Sequence, residues 1–363
     1  NLVYQTLQSM LSQRFKIDQK PTLKLNELQS KMKLAVDQKV NKKIYQFESV
    51  TCAVCQQNQF ETIAEKDRYG LHMPVVICKS CGLVQTNPRM NQSAYEQFYN
   101  TEYRKLYVGD AAPSEVFFNR QYQRGKAIFN YLKSQKLIQK MGDAPFVLEV
   151  GCGAGGILKY IKEQGFEIKG IDLGAHYINY GRDQKGVDLE IGFLKDLKLT
   201  RKPDLIIYAH VVEHLLNPNQ EIQLAQNTLS DAGILYVEVP GIRNLGFNYR
   251  SNLLRYLQNA HTYHFSLESL KQLIEKNGFK LIDGNQEIKS IFRKNQNTSE
   301  PISLSNDYHQ TMDYLKKLEQ NRNRVPLYPY NDDKRLIKED LKMLILNFLD
   351  RMGIRKYLRR LKN

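Results

Sequence analysis

The chain has 363 residues, of which 42% are hydrophobic and 25% are charged, a composition typical of globular proteins with room for two domains. No apolar run is long enough to cross a bilayer, and the first residues lack the basic start and apolar core of a secretory signal, so a cytoplasmic protein is expected. The net charge of +15 permits a polyanionic partner, although a solvated basic surface accounts for most of the excess.

The first part of the chain predicts a helical arm and a metal-binding ribbon. Residues 1–48 are rich in Gln, Lys and Leu and predict a peripheral helical arm. Residues 49–92 contain two Cys-x-x-Cys pairs, which supply four soft ligands for a tetrahedral Zn²⁺ ion. The predicted metal ligands are Cys52, Cys55, Cys78 and Cys81. Because four thiolates leave no open coordination position, the zinc is predicted to be structural, with disulfides or idle thiols as the alternatives.

The middle of the chain predicts a helical lid followed by an α/β domain. Residues 93–140 carry many tyrosines and phenylalanines and are expected to form helices that cover a catalytic mouth. Strand and helix patterns then alternate over residues 141–296, which predicts a doubly wound α/β domain with a seven-stranded, Rossmann-like sheet. The predicted strands are residues 146–150, 167–171, 187–191, 204–209, 234–239, 279–283 and 288–292.

A glycine-rich turn after the first of these strands predicts a ligand site. Gly151, Gly153 and Gly155 allow the backbone to approach a ligand closely, and the helix that follows offers free N–H groups. Asp172 ends the next strand, where a carboxylate can accept hydrogen bonds from both hydroxyls of a ribose. Glu149 precedes the turn and would repel a pyrophosphate, which favours a cationic ligand over the dinucleotide that the same glycine spacing permits.

Residues 147–155, 204–214 and 233–240, together with Asp172, closely resemble the motifs of class I S-adenosylmethionine (SAM)-dependent methyltransferases. The resemblance covers residues 120–290 and implies an enzyme that uses SAM as its cofactor. The cofactor-binding residues predicted from the pattern and the resemblance are Glu149, Gly151, Gly153, Gly155, Asp172, Asp196 and His210. Asp196 is the candidate for contacting the adenine amino group, and a solvated turn is the alternative for it.

Methyl transfer to a hydroxyl needs a group that accepts the proton, and two histidine-containing segments are candidates. His210, Glu213 and His214 follow the fourth strand of the α/β domain and are predicted to share one side of a helical turn. The segment is similar to the Glu-x-x-Glu-His metal site of quinone-biosynthesis O-methyltransferases, with His210 in place of the first Glu. A divalent metal site, a histidine base and a hydrogen-bonded helix cap remain the alternatives for this segment.

The second segment precedes a helix start that is predicted at Ser266. His261, Tyr263 and His264 are expected on the loop that enters this helix, where the resemblance implies that a histidine faces the acceptor. The predicted catalytic residues are therefore His210, His214, His261, Tyr263 and His264. The loop from Arg243 to Arg250 is expected either to bind hydroxyls or a diphosphate, or to be solvated.

The order of ribbon and α/β domain suggests an acceptor class. Cys81-Gly-Leu-Val84, Asn87-Pro-Arg89 and the tyrosines that follow resemble bacterial methyltransferases that act on nucleotide-linked sugars and surface glycans. The predicted function is SAM-dependent methylation of a small-molecule or glycan acceptor that contains a sugar, with oxygen as the favoured site. C-methylation of a keto-sugar nucleotide, N-methylation, an RNA-directed methyltransferase and a non-enzymatic adapter are the alternatives. Nucleic acid is a disfavoured partner because the ribbon has few interleaved aromatic and basic residues.

The C-terminal extension, residues 297–363, predicts a helical and basic end to the chain. Residues 341–362 combine an apolar helical pattern with a cluster of Lys and Arg, a pattern typical of helices that lie on anionic membrane surfaces. Peripheral contact with the inner face of a membrane is one expectation, and packing on the enzyme or on a second subunit is the other.

Overall fold

The computed structural model describes residues 10–109, 113–246, 248–295 and 305–322. The strands are β1 (Phe47–Glu48), β2 (Phe60–Lys66), β3 (His72–Cys78), β4 (Val84–Thr86), β5 (Arg89–Met90), β6 (Phe146–Val150), β7 (Glu167–Asp172), β8 (Leu189–Ile191), β9 (Leu205–Ala209), β10 (Ile234–Glu238), β11 (Tyr263–His264), β12 (Phe279–Gly284) and β13 (Lys289–Lys294). The helices are α1 (Glu27–Asn41), α2 (Gln92–Phe98), α3 (Arg104–Val108), α4 (Glu115–Ser134), α5 (Gly156–Glu163), α6 (Ala175–Asn179), α7 (Pro218–Thr228), α8 (Leu253–Tyr256), α9 (Leu267–Glu275) and α10 (Tyr308–Asn321).

Seven strands form one sheet in the order β12-β13-β10-β9-β6-β7-β8. The strands from β6 to β10 are parallel, while β13 runs antiparallel to both β10 and β12. The predicted Rossmann-like α/β fold is therefore confirmed, and each predicted strand is present with its ends shifted by no more than two residues. Strands β6, β9 and β10 are buried at every position, as expected for parallel strands covered by helices on both faces.

The register of the sheet brings the ends of four strands to one edge. Val150 is paired with Ile171 and Tyr208, and Tyr208 is paired with Val237. The residues that follow these positions therefore share the carboxyl edge of the sheet. The strand order reverses between β6 and β9, which is where ligands bind in open α/β sheets.

Helix α4 packs closely against α5, beside the glycine turn. A Cβ atom added to Gly125 would lie 2.7 Å from the Ile157 carbonyl oxygen, and one added to Gly156 would lie 2.5 Å from the Phe118 carbonyl oxygen. Side chains at these two glycines would push the helices apart.

In the region predicted as a lid, α2 continues through a π-helical turn (Tyr99–Tyr103) into α3. Gly109 follows α3 in a left-handed conformation and ends it.

The cysteine-rich segment forms a second, antiparallel sheet in the order β11-β4-β3-β2. Strand β11 comes from the segment before α9, for which the sequence predicts a loop, and it pairs Tyr263 with Gln85 and His264 with Val84. The ribbon also shares a hydrophobic core with the large sheet, because Val54 and Leu83 pack in the same cluster as Ile206. The ribbon and the α/β domain are thus joined by both strand pairing and core packing.

Helix α10 packs on the side of the protein that carries the N-terminal segment. Its Glu319 pairs with Arg14 at 2.6 Å, and its buried Met312 and Leu315 share a core cluster with Phe15. In the part of the chain that the structure describes, every helix is too short or too polar to cross a membrane. The predicted membrane-contacting stretch, residues 341–362, lies outside the described residues.

Candidate functional site

The glycine turn between β6 and α5 has a backbone conformation that glycine adopts readily and other residues rarely do. Gly151, Gly153 and Gly155 all have positive φ angles, of 74°, 56° and 75°. A Cβ atom at Gly151 would lie 2.3 Å from Val211 Cγ2, so this position is closed to other residues. The turn therefore places bare backbone at the edge of the sheet, where a ligand can approach it closely.

Two carboxylates flank this turn. Asp172 accepts hydrogen bonds from the Gly153 amide at 2.9 Å and from the Gly174 amide at 2.7 Å, so its orientation is fixed at the end of β7. Glu149 is 1% exposed, and its Oε2 atom has no hydrogen-bond partner. Burial, with a smaller contribution from the charge of Asp172, raises the pKa of Glu149 well above its usual range. A buried carboxylate without a partner fits a cationic ligand group better than it fits a phosphate.

Exposed apolar side chains that were not predicted from the sequence lie beside Asp172. Leu173 is 57% exposed, while Ile191 and Phe193 are each 49% exposed. Ile191 is the register partner of Asp172, so these side chains lie at the same edge of the sheet. The signal that could have revealed them is their position directly after the ends of two strands. Asp196, predicted to contact adenine, lies in the next 3₁₀ turn and is exposed.

Glu213 lies at the centre of a histidine cluster. Its Oε1 atom is 3.5 Å from His210 Nδ1, 3.8 Å from His214 Nε2 and 4.0 Å from His261 Nε2. Glu213 is 1% exposed, yet neither carboxylate oxygen has a hydrogen-bond partner. The sequence places His210, Glu213 and His214 together, and the structure adds His261 from the segment before β11. We call Glu213, His210, His214 and His261 the histidine centre.

The members of this centre differ in their protonation. Burial lowers the pKa of His214 and lowers that of His261 further, with added repulsion from neighbouring histidines, so both rings are neutral near pH 7. Burial also disfavours a charged His210, but the attraction of the Glu213 and Glu238 carboxylates outweighs burial and raises the pKa of His210. His210 is held in the left-handed region, at a φ of 59°.

Glu238, at the end of β10, holds His210 from its other side. Its Oε1 atom lies 3.6 Å from His210 Nε2 and 3.6 Å from Arg124 Nε, and Tyr236 donates a hydrogen bond to Oε2 at 2.8 Å. Although burial opposes ionisation, the contact with His210 and the charges of His210 and Arg124 lower the pKa of Glu238 to about 2. His210 therefore lies between two carboxylates, an environment that favours its protonated form.

A ladder of tyrosines leads from the histidine centre to the surface. The ring of Tyr99 stacks on Tyr103 at 4.3 Å, and Tyr103 stacks on Tyr107 at 5.8 Å. At the inner end, the Tyr99 hydroxyl lies 2.6 Å from His214 Nδ1. Tyr107, at the outer end, is 47% exposed. We call Tyr99, Tyr103 and Tyr107 the tyrosine ladder.

The remaining predicted catalytic residues lie in β11, beneath the histidine centre. His264 is completely buried without a partner for either ring nitrogen, and burial lowers its pKa to about 3. The Tyr263 hydroxyl contacts Arg89 Nη1 at 3.0 Å, on the side of the ribbon. Ser266 caps α9 through a capping box, as the sequence predicts. In the preceding loop, Arg243 pairs with Asp307 at 2.9 Å.

The four paired cysteines converge at one point of the ribbon. Cys52 and Cys81 have their sulfurs 3.4 Å apart, the sulfurs of Cys55 and Cys78 are 3.5 Å apart, and all four lie within 4.8 Å of one another. Cys152 lies elsewhere, fully buried within the glycine turn, where burial raises the pKa of its thiol. We call Cys52, Cys55, Cys78 and Cys81 the cysteine cluster.

The α/β domain and the residue that precedes α10 both contact the backbone of the cysteine cluster. Lys276 Nζ donates hydrogen bonds to the carbonyl oxygens of Ala53 at 2.9 Å and Val54 at 2.8 Å. At the start of α10, the Asp307 amide donates to the Cys81 carbonyl oxygen at 3.3 Å. Burial lowers the pKa of Lys276, and the neighbouring thiol groups of the cluster act in the opposite direction.

Comparison with known proteins identifies the domain that contains the glycine turn. A family model described as a methyltransferase domain matches residues 121–283. An uncharacterized methyltransferase of Staphylococcus carnosus (strain TM300) is 23% identical over 148 residues, which are 37% of this chain and 70% of the relative. A ubiquinone biosynthesis O-methyltransferase of Glaesserella parasuis serovar 5 (strain SH0165) is 30% identical over 103 residues, which are 25% of this chain and 43% of the relative.

Solved structures include similar chains. A protein from Pyrococcus horikoshii OT3 aligns with a TM-score of 0.41 and 16% identity, over 53% of this chain and 99% of its own. The magnesium protoporphyrin IX methyltransferase of Synechocystis PCC 6803, solved with bound S-adenosylhomocysteine (SAH), aligns with a TM-score of 0.40 and 15% identity. The alignment covers 56% of this chain and 98% of that methyltransferase.

The sheet topology, the glycine turn with its two acids and the family match together define a class I SAM-dependent methyltransferase domain. The predicted enzyme class, a SAM-dependent methyltransferase, is confirmed, and SAM is its cofactor.

Proposed function

We propose that this protein transfers the methyl group of SAM to a hydroxyl of a sugar-containing acceptor, either a nucleotide sugar or a surface glycan. The observation that carries the proposal is the histidine centre, where three imidazole nitrogens lie within 4.0 Å of a Glu213 oxygen that has no hydrogen-bond partner. Such a centre can accept the proton that a hydroxyl must lose. The resemblance of the ribbon-bearing arrangement to sugar and glycan methyltransferases supports the acceptor class.

SAM is placed along the carboxyl edge of the large sheet. The backbone of Gly151, Gly153 and Gly155 faces the cofactor, Glu149 balances its positive charge, and Asp172 accepts hydrogen bonds from the ribose hydroxyls. The exposed apolar surface of Leu173, Ile191 and Phe193 supplies a wall for adenine. Asp196 lies at the exposed end of this wall as the candidate contact for the adenine amino group.

The reaction is an in-line displacement at the methyl carbon. The acceptor oxygen forms a bond to this carbon while the carbon–sulfur bond breaks, and the bonding electron pair goes to the sulfur, which becomes the neutral sulfur of SAH. The sulfonium is already activated, so alignment is a large part of the protein's contribution. The remaining task is to remove the hydroxyl proton.

We assign the proton acceptor to His214. Its ring is neutral near pH 7, and Nδ1 lies 3.0 Å from the Ala260 carbonyl oxygen, which fixes the ring and leaves Nε2 available toward Glu213. In this arrangement, Nε2 takes the acceptor proton, and Glu213 stabilises the resulting imidazolium. His210 keeps its own proton and positions Glu213, while His261 orients the acceptor from the opposite side.

A divalent metal ion at the same centre is the second candidate mechanism. Glu213, His214 and His261 place ligand atoms within 4.8 Å of one another, and two imidazoles with a carboxylate are suitable ligands for such ions. A bound metal would lower the pKa of the acceptor hydroxyl. The metal content of purified protein whose cysteine cluster is intact, compared with that of Glu213→Gln, separates this mechanism from histidine base catalysis.

The cysteine cluster is proposed to hold a structural Zn²⁺ ion. Zn–S bonds of about 2.3 Å in tetrahedral geometry would place sulfurs about 3.8 Å apart. Two sulfur pairs here are 3.4 and 3.5 Å apart, and all four sulfurs lie within 4.8 Å of one another. Four thiolates with zinc carry net negative charge, which the nearby ammonium group of Lys276 offsets. The donor set and its surroundings therefore fit zinc.

The acceptor proposal is tested with labelled SAM and a panel of nucleotide sugars and purified glycans, with transfer RNA as the comparison for an RNA-directed enzyme. We expect label in a sugar and an O-methyl signal in the NMR spectrum of the product. A C-methyl or N-methyl signal would contradict hydroxyl methylation, and label in RNA alone would contradict the acceptor class.

A further inference from the structure

Gln121, on α4, spans the glycine turn with a single side chain. Its Nε2 atom donates a hydrogen bond to the Cys152 carbonyl oxygen at 3.0 Å, and its Oε1 atom accepts hydrogen bonds from the Ala154 amide at 3.2 Å and from the Gly156 amide at 3.4 Å. The side chain therefore connects the part of the turn that follows β6 with the part that begins α5. A primary amide suits this position because it is a donor and an acceptor at once.

Every backbone amide from residue 151 to residue 156 donates a hydrogen bond within the protein. The amides of Ala154 and Gly156 donate to Gln121, and the other four have acceptors in β7 or in the turn itself. These acceptors are the Ile171 carbonyl oxygen, which takes two amides, the Asp172 carboxylate and the Cys152 carbonyl oxygen. A phosphate bound at such a turn needs free N–H groups around the start of the helix. Two of the N–H groups that the sequence predicts to be free for a ligand therefore already have a partner.

The close packing of α4 on α5 fixes Gln121 in this position. A Cβ atom added to Gly156 would lie 2.6 Å from Gln121 Cβ, and one added to Gly153 would lie 2.8 Å from Gln121 Nε2. Phe117, one helical turn before Gln121, has ring atoms 3.5 Å from the same added atom at Gly153. The two glycines thus leave the room in which the Gln121 side chain lies on the turn.

We propose that Gln121 is a positioning residue of the cofactor site, which holds the glycine turn in the conformation that receives SAM and occupies amides that a phosphate would bind. The inference rests on the placement of SAM at the glycine turn in the proposed function, and it is independent of the acceptor. Gly151, Gly153 and Gly155 give the turn many alternative backbone conformations, so contacts from outside the turn are needed to select one. Gln121 supplies three of these contacts.

Isothermal titration of the full chain with SAH tests this role. Gln121→Met keeps the length of the side chain but removes both the donor and the acceptor, so we expect SAH affinity to fall by about tenfold or more. The amides of Ala154 and Gly156 should exchange their hydrogens faster in this variant. The matched control is Gln123→Met, which changes an exposed residue of the same helix and should bind SAH as the unaltered protein does.

Gln121→Glu separates hydrogen bonding from the filling of space. An ionised carboxylate still accepts from the Ala154 and Gly156 amides but has no proton to donate to the Cys152 carbonyl oxygen. Compared with the unaltered protein at the same pH, this variant should bind SAH more weakly near pH 8. It should recover affinity as the pH falls and the introduced carboxyl gains a proton. A side chain that only filled space would show no such recovery.

Thermal unfolding shows whether each variant is folded, and Gln121→Glu carries the test alone should Gln121→Met fail to fold. SAH affinity of Gln121→Met within about threefold of normal, or no recovery of Gln121→Glu at lower pH, would overturn the inference. Titration of the unaltered protein with NAD⁺ tests the exclusion of phosphate, and binding as tight as that of SAH would contradict it. Absence of SAH binding by the unaltered protein would instead contradict the proposed function.

Discussion

His264 is paired with Val84, so the strand that ends the histidine segment belongs to the same sheet as the cysteine cluster. Thr86 reinforces this pairing, because its amide donates to the Thr262 carbonyl oxygen at 2.9 Å and its hydroxyl donates to the His261 carbonyl oxygen at 3.1 Å. The position of His261 in the histidine centre therefore depends on the ribbon, whose four cysteines pack in the core that it shares with the large sheet.

Removal of zinc should consequently disturb the histidine segment before it disturbs SAM binding. In Cys81→Ser, or in protein treated with a strong chelator, we expect amides 261–265 to lose protection from hydrogen exchange. SAM affinity should change by less than about threefold, because the glycine turn is held by the large sheet. Hydrogen-exchange mass spectrometry and isothermal titration measure the two effects. Cys152→Ala is the control, and unchanged protection of 261–265 in the zinc-free protein would contradict the dependence.

The contact between Lys276 and the first cysteine pair should contribute to stability and to metal retention. Lys276→Met keeps the length of the side chain but removes the ammonium donor from the Val54 carbonyl oxygen, and it leaves the Ala53 carbonyl oxygen with the Asn219 amide as its donor. We expect a loss of about 1–3 kcal/mol in the free energy of unfolding and faster zinc release to a chromogenic chelator. Lys271→Met, on the exposed side of α9, is the matched control. Equal zinc release from both variants would exclude the proposed role of Lys276.

Glu149 makes the binding of SAM depend on proton release. Burial raises its pKa well above the usual range, so a cationic ligand that stabilises the carboxylate should displace a proton. We expect SAM affinity to rise with pH as Glu149 ionises, and Glu149→Gln to abolish both the proton release and this pH dependence. Calorimetry in buffers of different ionisation enthalpy counts the protons released. SAM binding that releases no proton from the unaltered protein would contradict the argument.

The large sheet and the glycine turn could be predicted from the sequence because both follow from local patterns. Strands such as β6 and β9 are short apolar runs between turn residues, and Gly151 and Gly153 occupy positions where the backbone requires a positive φ. The clustering of the cysteines likewise follows from the spacing of Cys-x-x-Cys pairs. In each case the interacting residues are close in sequence or belong to a recurrent pattern.

The parts that could not be predicted depend on contacts between distant segments. No local pattern indicates that His264 pairs with Val84, or that His261 joins Glu213 in the histidine centre. The two-residue strand β11 is too short to show an alternation of apolar and polar residues, so the sequence predicts a loop there. The connection of Arg68 to His261 through Gln258 is also invisible in the sequence, since isolated polar residues do not show their partners.

The ion pair between Glu238 and His210 should appear in pH titrations. The two carboxylates raise the pKa of His210, and the contribution of this shift to stability is complete below about pH 6.5 and is lost as the pH rises through the folded pKa. The pKa of Glu238 is lowered to about 2, so its contribution is present above its unfolded value and lost as the pH falls toward 2. The pair should therefore stabilise the protein most between about pH 4.5 and 6.5.

Glu238→Gln tests this pair without changing the size of the side chain. We expect NMR titration to show a lower His210 pKa in the variant, and the loss in unfolding free energy, about 1–3 kcal/mol, to be greatest between about pH 4.5 and 6.5. Glu287→Gln, which removes an exposed ion pair with Lys289, is the control. An unchanged His210 pKa would show that Glu238 does not hold the proton in place.

His214 should act on the chemical step and leave cofactor binding unaffected. His214→Asn retains a polar side chain but removes the neutral imidazole nitrogen to which proton acceptance is assigned, so kcat should fall by about 10²–10⁴-fold. SAM affinity should remain within about threefold of normal, because the predicted cofactor contacts at the glycine turn and Asp172 are separate from His214. Above neutral pH, hydroxide should partly restore the activity of the variant. The activity of the unaltered protein should fall at acidic pH, because His214 then becomes protonated, at a pKa that burial has lowered. His309→Asn, on α10, is the matched control. If the variant had a normal kcat and a normal pH profile, His214 would not be the proton acceptor, and another group of the histidine centre would have to take that role.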